Sequence, residues 1–258
     1  VATTTKAETK SSKVKTILVT QPKPESDKSP YHDLAKKFNL KIDFREFIHV
    51  EGIPAKDFRK DKINIQDFTA VILTSRIAAD HFFRVCNELR IPNLDQIKYF
   101  CISESTAFYL QKYMVYRKRK IFYGKSTIND LIDVLKKHKK EKFLLPCSDV
   151  HKQEISDTLN AVGINHTKAI MYKTVCSDLS DLANVNYDML VFFSPSGITS
   201  LLKNFPKFKQ NDTRIAAFGA ATKQAVLDAG LRLDVMAPVP EAPSMTMAIE
   251  HFVKKANK

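Results

Sequence analysis

Glycine is scarce in this sequence, and the scarcity removes whole classes of function. The 258 residues hold six, Gly52, Gly124, Gly163, Gly197, Gly219 and Gly230. No two stand close enough to form a GxGxxG or GxxxxGK loop, so a dinucleotide or P-loop phosphate site lacks its backbone cradle. No GxSxG turn is present, which argues against an α/β-hydrolase nucleophile elbow. The four cysteines, Cys86, Cys101, Cys147 and Cys176, show no CxxC spacing and mostly lie in apolar runs, so they read as buried free thiols of a reducing compartment. The seven histidines offer no HExxH and no paired ligand spacing, and no metal site is expected. Runs of apolar residues stay well short of the ~20 needed to cross a bilayer. The opening segment lacks the apolar centre of a signal peptide, and a cytoplasmic protein is expected. Residues 1–14, rich in Thr, Ser, Lys and Glu, read as a disordered tail. The chain opens on Val1 rather than Met, which is compatible with trimming.

Positive charge is plentiful. Forty-one Lys and Arg against 28 Asp and Glu give a formal net charge of +13, a field that favours acidic partners. Part of it falls on the tail, and the runs Arg117–Lys120 and Lys136–Lys140 read as solvated surface. Hydrophobic residues make up 44% and charged residues 27%, the composition of an ordinary globular protein rather than a disordered one. The length suits one or two domains, and two are expected.

Internal repetition supports two. Val71–Ile72–Leu73–Thr74–Ser75 and the helical pattern after it match Val191–Phe192–Phe193–Ser194–Pro195–Ser196. Tyr99–Phe100–Cys101–Ile102–Ser103–Glu104–Ser105–Thr106 matches Ile215–Ala216–Ala217–Phe218–Gly219–Ala220–Ala221–Thr222 at nearly the same displacement. Each is a buried strand running into residues that can cap a helix. A helix, a residue tolerant of positive φ and a strand recur around Asn39, Gly163 and Gly230, the last leading into a strand over 231–236. Short apolar strands alternating with amphipathic helices specify parallel sheets covered on both faces. In such sheets ligands lie outside the carboxyl ends of the strands, which is where Thr20, Thr74, Ser75, Ser103, Ser194, Ser196 and Thr222 fall. Each of these taken alone reads first as a plain helix cap, but their recurrence in both halves favours two rims facing one cleft. Ser194–Pro195–Ser196–Gly197 is the most shaped of these turns. Pro fixes φ, the serines cap, and Gly admits close approach of a ligand to backbone amides that attract carboxylates.

The runs Val191–Gly197, Ala216–Thr222 and Ile72–Ser75, with Leu145–Pro146–Cys147 and Met171–Tyr172–Lys173–Thr174–Val175, resemble the corresponding segments of the uroporphyrinogen III synthase family. They keep their order from about residue 15 to 250. The resemblance implies an α/β fold of two flavodoxin-like domains with parallel sheets, joined by a two-stranded linker. Carried over, domain 1 is discontinuous, 15–46 with 175–258, domain 2 is the insert 47–174, and the crossing strands lie near Ile42–Ile48 and Lys168–Cys176. The family's activity would make the chain a lyase of tetrapyrrole (haem) biosynthesis, acting without a cofactor on the polycarboxylate hydroxymethylbilane. Loss of the hydroxymethyl oxygen as water gives an electrophilic azafulvene, and closure through a spiro intermediate inverts ring D to yield uroporphyrinogen III.

Tyr172 matches the tyrosine that the family places at this point, and it is expected to donate a proton to the departing hydroxyl. Substrate contacts are expected from Thr20, Thr74, Ser75, Ser103, Thr106, Ser194, Ser196, Gly197, Gly219 and Thr222, with Lys152 and Arg214 as carboxylate partners. Three features depart from the family pattern. Ser103–Glu104–Ser105–Thr106 replaces a glycine-led turn and brings Glu104 toward an anionic ligand, Ala221 replaces a hydroxyl residue, and Arg76 follows Ser75 directly. They keep open a non-catalytic two-lobed binding protein for a polyanion. A nucleic-acid protein is a third reading of the basic runs, but no nucleic-acid motif is present and few aromatic residues interleave with them. The expected partner is thus a small molecule, with neither nucleic acid nor membrane, and the expected state is a monomer.

Overall fold

The computed structural model describes residues 13–26, 28–151 and 153–257. The first twelve positions of the expected tail lie outside the described residues. Val14 does not behave as tail: it is 1% exposed, and its backbone exchanges two 2.9 Å hydrogen bonds with the side-chain amide of Asn257. An apolar side chain with its amide and carbonyl both paired has no reason to remain in solvent.

Among the described residues eleven strands follow in chain order: β1 (Thr16–Val19), β2 (Lys41–Phe44), β3 (Ile48–Gly52), β4 (Ala70–Leu73), β5 (Lys98–Cys101), β6 (Ile121–Tyr123), β7 (Phe143–Ser148), β8 (His166–Cys176), β9 (Met189–Phe192), β10 (Arg214–Phe218) and β11 (Val235–Ala237). Between and after them stand the α-helices α1 (Pro30–Phe38), α2 (Ala55–Phe58), α3 (Arg76–Glu88), α4 (Glu104–Tyr109), α5 (Ile132–Lys137), α6 (Gln153–Ala161), α7 (Pro195–Asn204), α8 (Ala220–Asp228) and α9 (Met245–Ala256). None of the helices is long and apolar enough to cross a membrane, among the described residues. The chain divides into two compact units, Val1–His49 with Val175–Lys258, and Val50–Thr174.

The discontinuous unit holds a five-stranded sheet of order β2-β1-β9-β10-β11 with every pairing parallel. Renumbered within the unit this is 2-1-3-4-5, the flavodoxin order. Alternation along each strand sends side chains to opposite faces. Ile17, Val19, Met189, Val191 and Ala216 pack with Leu34 of α1 and Ile249 and Val253 of α9. Their neighbours Leu18, Leu190, Phe192, Ile215 and Ala217 pack with Ile198 and Leu201 of α7 and Val226 of α8.

The inserted unit is built by the same rule. Its sheet runs β3-β8-β7-β4-β5-β6, and the pairings from β8 through β6 are parallel. Val71, Leu73, Tyr99, Cys101 and Leu144 face Ala78, Phe82 and Cys86 of α3, while Ala70, Ile72, Phe100, Phe143 and Leu145 face Leu135 of α5 and Leu159 of α6. Cys86, Cys101 and Cys147 are buried and all four cysteines are free; burial pushes the Cys86 and Cys101 thiols up to about 12.

The chain leaves the discontinuous unit within β3 and returns within β8. The first crossing falls later than the sequence places it. Ile42–Phe44 is paired to β1 as an edge strand, and Phe47 is 1% exposed in the core of the discontinuous unit, so the boundary moves from 46/47 to 49/50. A second difference concerns 231–236, where the strand begins only at Val235 and runs Val235–Ala237; Asp234, just before it, donates its amide to the Ile215 carbonyl and accepts the Ile215 amide through Oδ2, both at 2.9 Å. The positions tolerant of positive φ are as the sequence requires, with Asn39 at 52°, Gly163 at 73° and Gly230 at 69°.

Phe100 stacks on Phe122 at 4.9 Å and meets Phe143 edge-on at 5.3 Å. Phe100→Ala is expected to lower the unfolding free energy by about 3–5 kcal/mol. A Cβ at Gly230 meets no atom within 4 Å, so Gly230→Ala costs only the left-handed backbone, about 1 kcal/mol. Urea unfolding of the two variants measures both, and equal losses would contradict the packing described.

Candidate functional site

Each sheet reverses its winding once, and the polar residues gather at those reversals. In the discontinuous unit the reversal lies between β1 and β9. Thr20, directly after β1, is 7% exposed. Its amide and hydroxyl both donate to the carbonyl of Val191, at 3.0 and 2.8 Å. Gly197 lies beside it: a Cβ there would stand 3.2 Å from the Phe192 ring and 3.8 Å from the Thr20 hydroxyl. Ser194 caps α7, its hydroxyl accepting the Gly197 amide at 3.4 Å, Pro195 occupies the first helical turn, and Ser196 is half-buried.

One strand further, Gly219 opens α8 at φ 86° and ψ 152°, and no side chain caps that helix. A Cβ at Gly219 meets nothing within 4 Å. Thr222 in the first turn is 2% exposed. Where α3, α4, α7 and α9 begin with a serine that takes one of their free amides, α8 begins with a glycine and leaves its amides for another acceptor.

In the inserted unit the reversal lies between β4 and β7. Thr74 and Ser75 follow β4, and the Ser75 hydroxyl accepts the Ala78 amide at 3.0 Å. Ser103 follows β5; its hydroxyl accepts the Thr106 amide at 3.3 Å and lies 3.1 Å from the Thr106 hydroxyl, which is buried. Glu104 is exposed and receives the Tyr123 hydroxyl at 3.1 Å.

Tyr172 comes to this rim from β8. Its backbone carbonyl accepts the Asp149 amide at 3.1 Å, and its ring stacks on His81 at 4.9 Å with an interplanar angle of 17°. Burial raises the phenol above its ordinary value and a hydrogen bond with Ser75 opposes part of the rise, so the group is a neutral donor at neutral pH. Asp149, at the end of β7, would be raised by burial. Hydrogen bonds from the Ser148 hydroxyl and the Thr174 and Val150 amides, at 2.8, 3.0 and 2.8 Å, outweigh this and hold its carboxyl below the usual range.

One expected residue, Arg214, is not brought to these rims. Arg214 is the first residue of β10, at the amino edge of its sheet, and its guanidinium donates to the carbonyl of Asp212; a residue that precedes a parallel strand faces away from the carboxyl ends. Lys152 lies outside the described residues. No cluster of metal-ligating side chains occurs among the described residues.

Sequence reasoning missed what surrounds Tyr172. His81, Arg84 and Glu88 lie at i, i+3 and i+7 on α3, one face of a helix. Arg84 Nε donates to His81 Nδ1 at 3.2 Å, its Nη1 to Glu88 at 2.6 Å, and its Nη2 to the carbonyls of Ile53 and Met171 at 2.8 and 3.1 Å. The spacing is visible in the sequence, but nothing in it indicates that the face meets β8.

Two α/β units, each a largely parallel sheet with helices on both faces, define the class, a two-unit doubly wound α/β protein. The comparisons with known proteins narrow it. The family described as Uroporphyrinogen-III synthase HemD matches residues 31–247, and the chain belongs to that family. A curated relative, the uroporphyrinogen-III synthase of Saccharomyces cerevisiae, is 28% identical over 141 residues, 48% of this chain and 50% of the relative, so the match spans half the relative's length. Among solved structures, uroporphyrinogen-III synthetase from Helicobacter pylori aligns with a TM-score of 0.62 and 16% identity over 93% of this chain and 99% of that one. A mutant uroporphyrinogen III synthase from the extremely thermophilic bacterium Thermus thermophilus gives 0.52 and 13%, over 94% and 98%.

Ser75→Ala removes the cap of α3 and is expected to lower stability by about 1 kcal/mol, a shift that thermal unfolding detects. An unchanged melting temperature would mean that the serine does not cap the helix.

Proposed function

We propose that the chain is a lyase of tetrapyrrole biosynthesis that cyclises hydroxymethylbilane to uroporphyrinogen III, with inversion of ring D and loss of water. The observation that carries the proposal is Tyr172, a half-buried phenol at the strand-end rim of the inserted unit, held protonated by burial and fixed by stacking on His81. It is assigned as the proton donor to the departing hydroxyl. As the C–O bond of the hydroxymethyl group breaks, its electron pair leaves with oxygen, the phenolic proton neutralises it as water, and the pyrrole nitrogen lone pair supports the azafulvene cation that remains. The terminal ring then attacks that carbon through its already substituted α-carbon; the spiro intermediate opens by breaking that α-carbon's original bond to the bridge from ring C, and reclosure at the free α-carbon of ring D, whose proton returns to the phenolate, leaves ring D inverted.

The bilane is reactive enough to cyclise unaided to the other isomer, so the protein's larger task is to hold one conformation as charge develops. Thr20, Ser194, Ser196, Gly197, Gly219 and Thr222 in one unit, and Thr74, Ser75, Ser103 and Thr106 in the other, are assigned to substrate contacts. The uncapped amides of α8, beside the open space at Gly219, suit a carboxylate in particular. The net charge of +13 draws a polycarboxylate toward the protein.

Incubation of the purified protein with hydroxymethylbilane is expected to yield the type III isomer. Type I alone, at the uncatalysed rate, would sink the proposal, and thermal stabilisation by the bilane without type III product would indicate a binding protein. Tyr172→Phe is expected to lower kcat about 100-fold, the low end for loss of a general acid because the substrate ionises readily, with KM changed less than about threefold.

A further inference from the structure

Tyr172 is held on a platform that has an ionisable state of its own. His81 lies under the phenol ring, nearly parallel to it, and its Nδ1 faces Arg84 Nε at 3.2 Å. An arginine has donors and no acceptor, so Nδ1 must offer a lone pair. That assigns the imidazole as neutral, with its proton on Nε2. Arg84 is not free to retreat. Two of its donors end on the carbonyls of Ile53 and Met171, the second adjacent to Tyr172, and a third is paired to Glu88. A Cβ at Gly52 would stand 2.8 Å from the guanidinium carbon, so the backbone of β3 comes close to the side of Arg84 where a larger residue would push it away.

We propose that His81 is a positioning residue for Tyr172: its neutral imidazole, tied through Nδ1 to Arg84, fixes the phenol, and a proton added at Nδ1 breaks the Arg84 contact and frees the imidazole to turn. The inference rests on the role given to Tyr172 above, but its geometry stands without it. The charged and titratable groups around His81 are Asp80 and Arg84 on its own helix and Tyr172 on β8. Glu88 reaches it only through Arg84. Asp80 is occupied by Tyr109, Tyr113 and Lys112 from the segment that begins with α4, which limits its help to an imidazolium. Burial first, and then the Arg84 charge, lower the His81 pKa from its ordinary value, with Asp80 opposing. Because the folded value lies below the unfolded one, about 6.5, the neutral platform is complete above the unfolded value and is lost as pH falls through the folded one.

The test uses the whole chain labelled with 3-fluorotyrosine, the Tyr172 fluorine resonance being assigned by its absence in Tyr172→Phe. In the unsubstituted protein that resonance is expected to titrate with a midpoint below about 6.5, and in His81→Phe, which keeps a ring but cannot ionise, the titration is expected to vanish. In the isomer assay, His81→Ala is expected to lower kcat about tenfold with KM nearly unchanged, and His81→Phe to recover most of that loss and flatten the acid limb of the pH profile. A resonance that does not titrate, or that titrates alike in His81→Phe, overturns the inference, as does an unaltered kcat in His81→Ala. Should no type III product form with any variant, the assigned reaction falls while the fluorine titration alone decides the platform; it also decides if His81→Ala does not fold.

Discussion

Strands buried on both faces leave no place for polar chemistry except their ends. β4 and β9 each bury four consecutive residues, and β1 buries Ile17–Val19 after a partly exposed Thr16, so any hydroxyl along these buried stretches would need an internal partner in an apolar layer. The first residues able to carry a polar side chain are those where the strand stops and the backbone turns into a helix. Serines at these turns satisfy the amides of α3, α4 and α7. The same amino acids that end the helices thus form the rims, and the glycine that opens α8 leaves one helix end open. Under the proposed function, helix capping and substrate contact draw on the same few hydroxyls.

That competition also bounds what can be read from the amino acids. β4, β5, β9 and β10 are legible because continuous apolar runs end in capping residues, and Asn39, Gly163 and Gly230 mark helix ends through their backbone freedom. Leu231–Asp234 looks like strand because it alternates, yet the strand begins only at Val235, and Asp234 before it meets Ile215 through both its amide and its carboxylate. The crossing expected near Ile42–Ile48 falls a few residues early because an edge strand and a crossing segment share one pattern, and only the burial of Phe47 separates them. Arg214 is expected among the carboxylate partners because the family pattern has a basic residue just before this strand. Chain direction puts that position at the amino end of β10, away from the rim, so the resemblance and the strand geometry disagree.

The clamp on Tyr172 is illegible for a different reason. His81, Arg84 and Glu88 declare a helix face, but the partner of that face is a carbonyl of β8, and backbone carbonyls carry no sequence signature. Relatives of 13–16% identity share the fold across nearly the whole chain, which shows how little side-chain identity the doubly wound plan requires. The contacts that place a phenol are finer than the plan and are set by individual side chains such as these.

The interleaving of the two units orders events during synthesis. β3 through β8 are contiguous, so the inserted unit has all of its strands once residue 176 has left the ribosome. β1, by contrast, needs β9 as its neighbour and waits for a strand that begins at Met189, and Val14 waits until Asn257 has been made. Nascent chain emerging first therefore spends longest without its partners, exposing Ile17, Leu18 and Val19 to aggregation while the later-made insert is already able to fold.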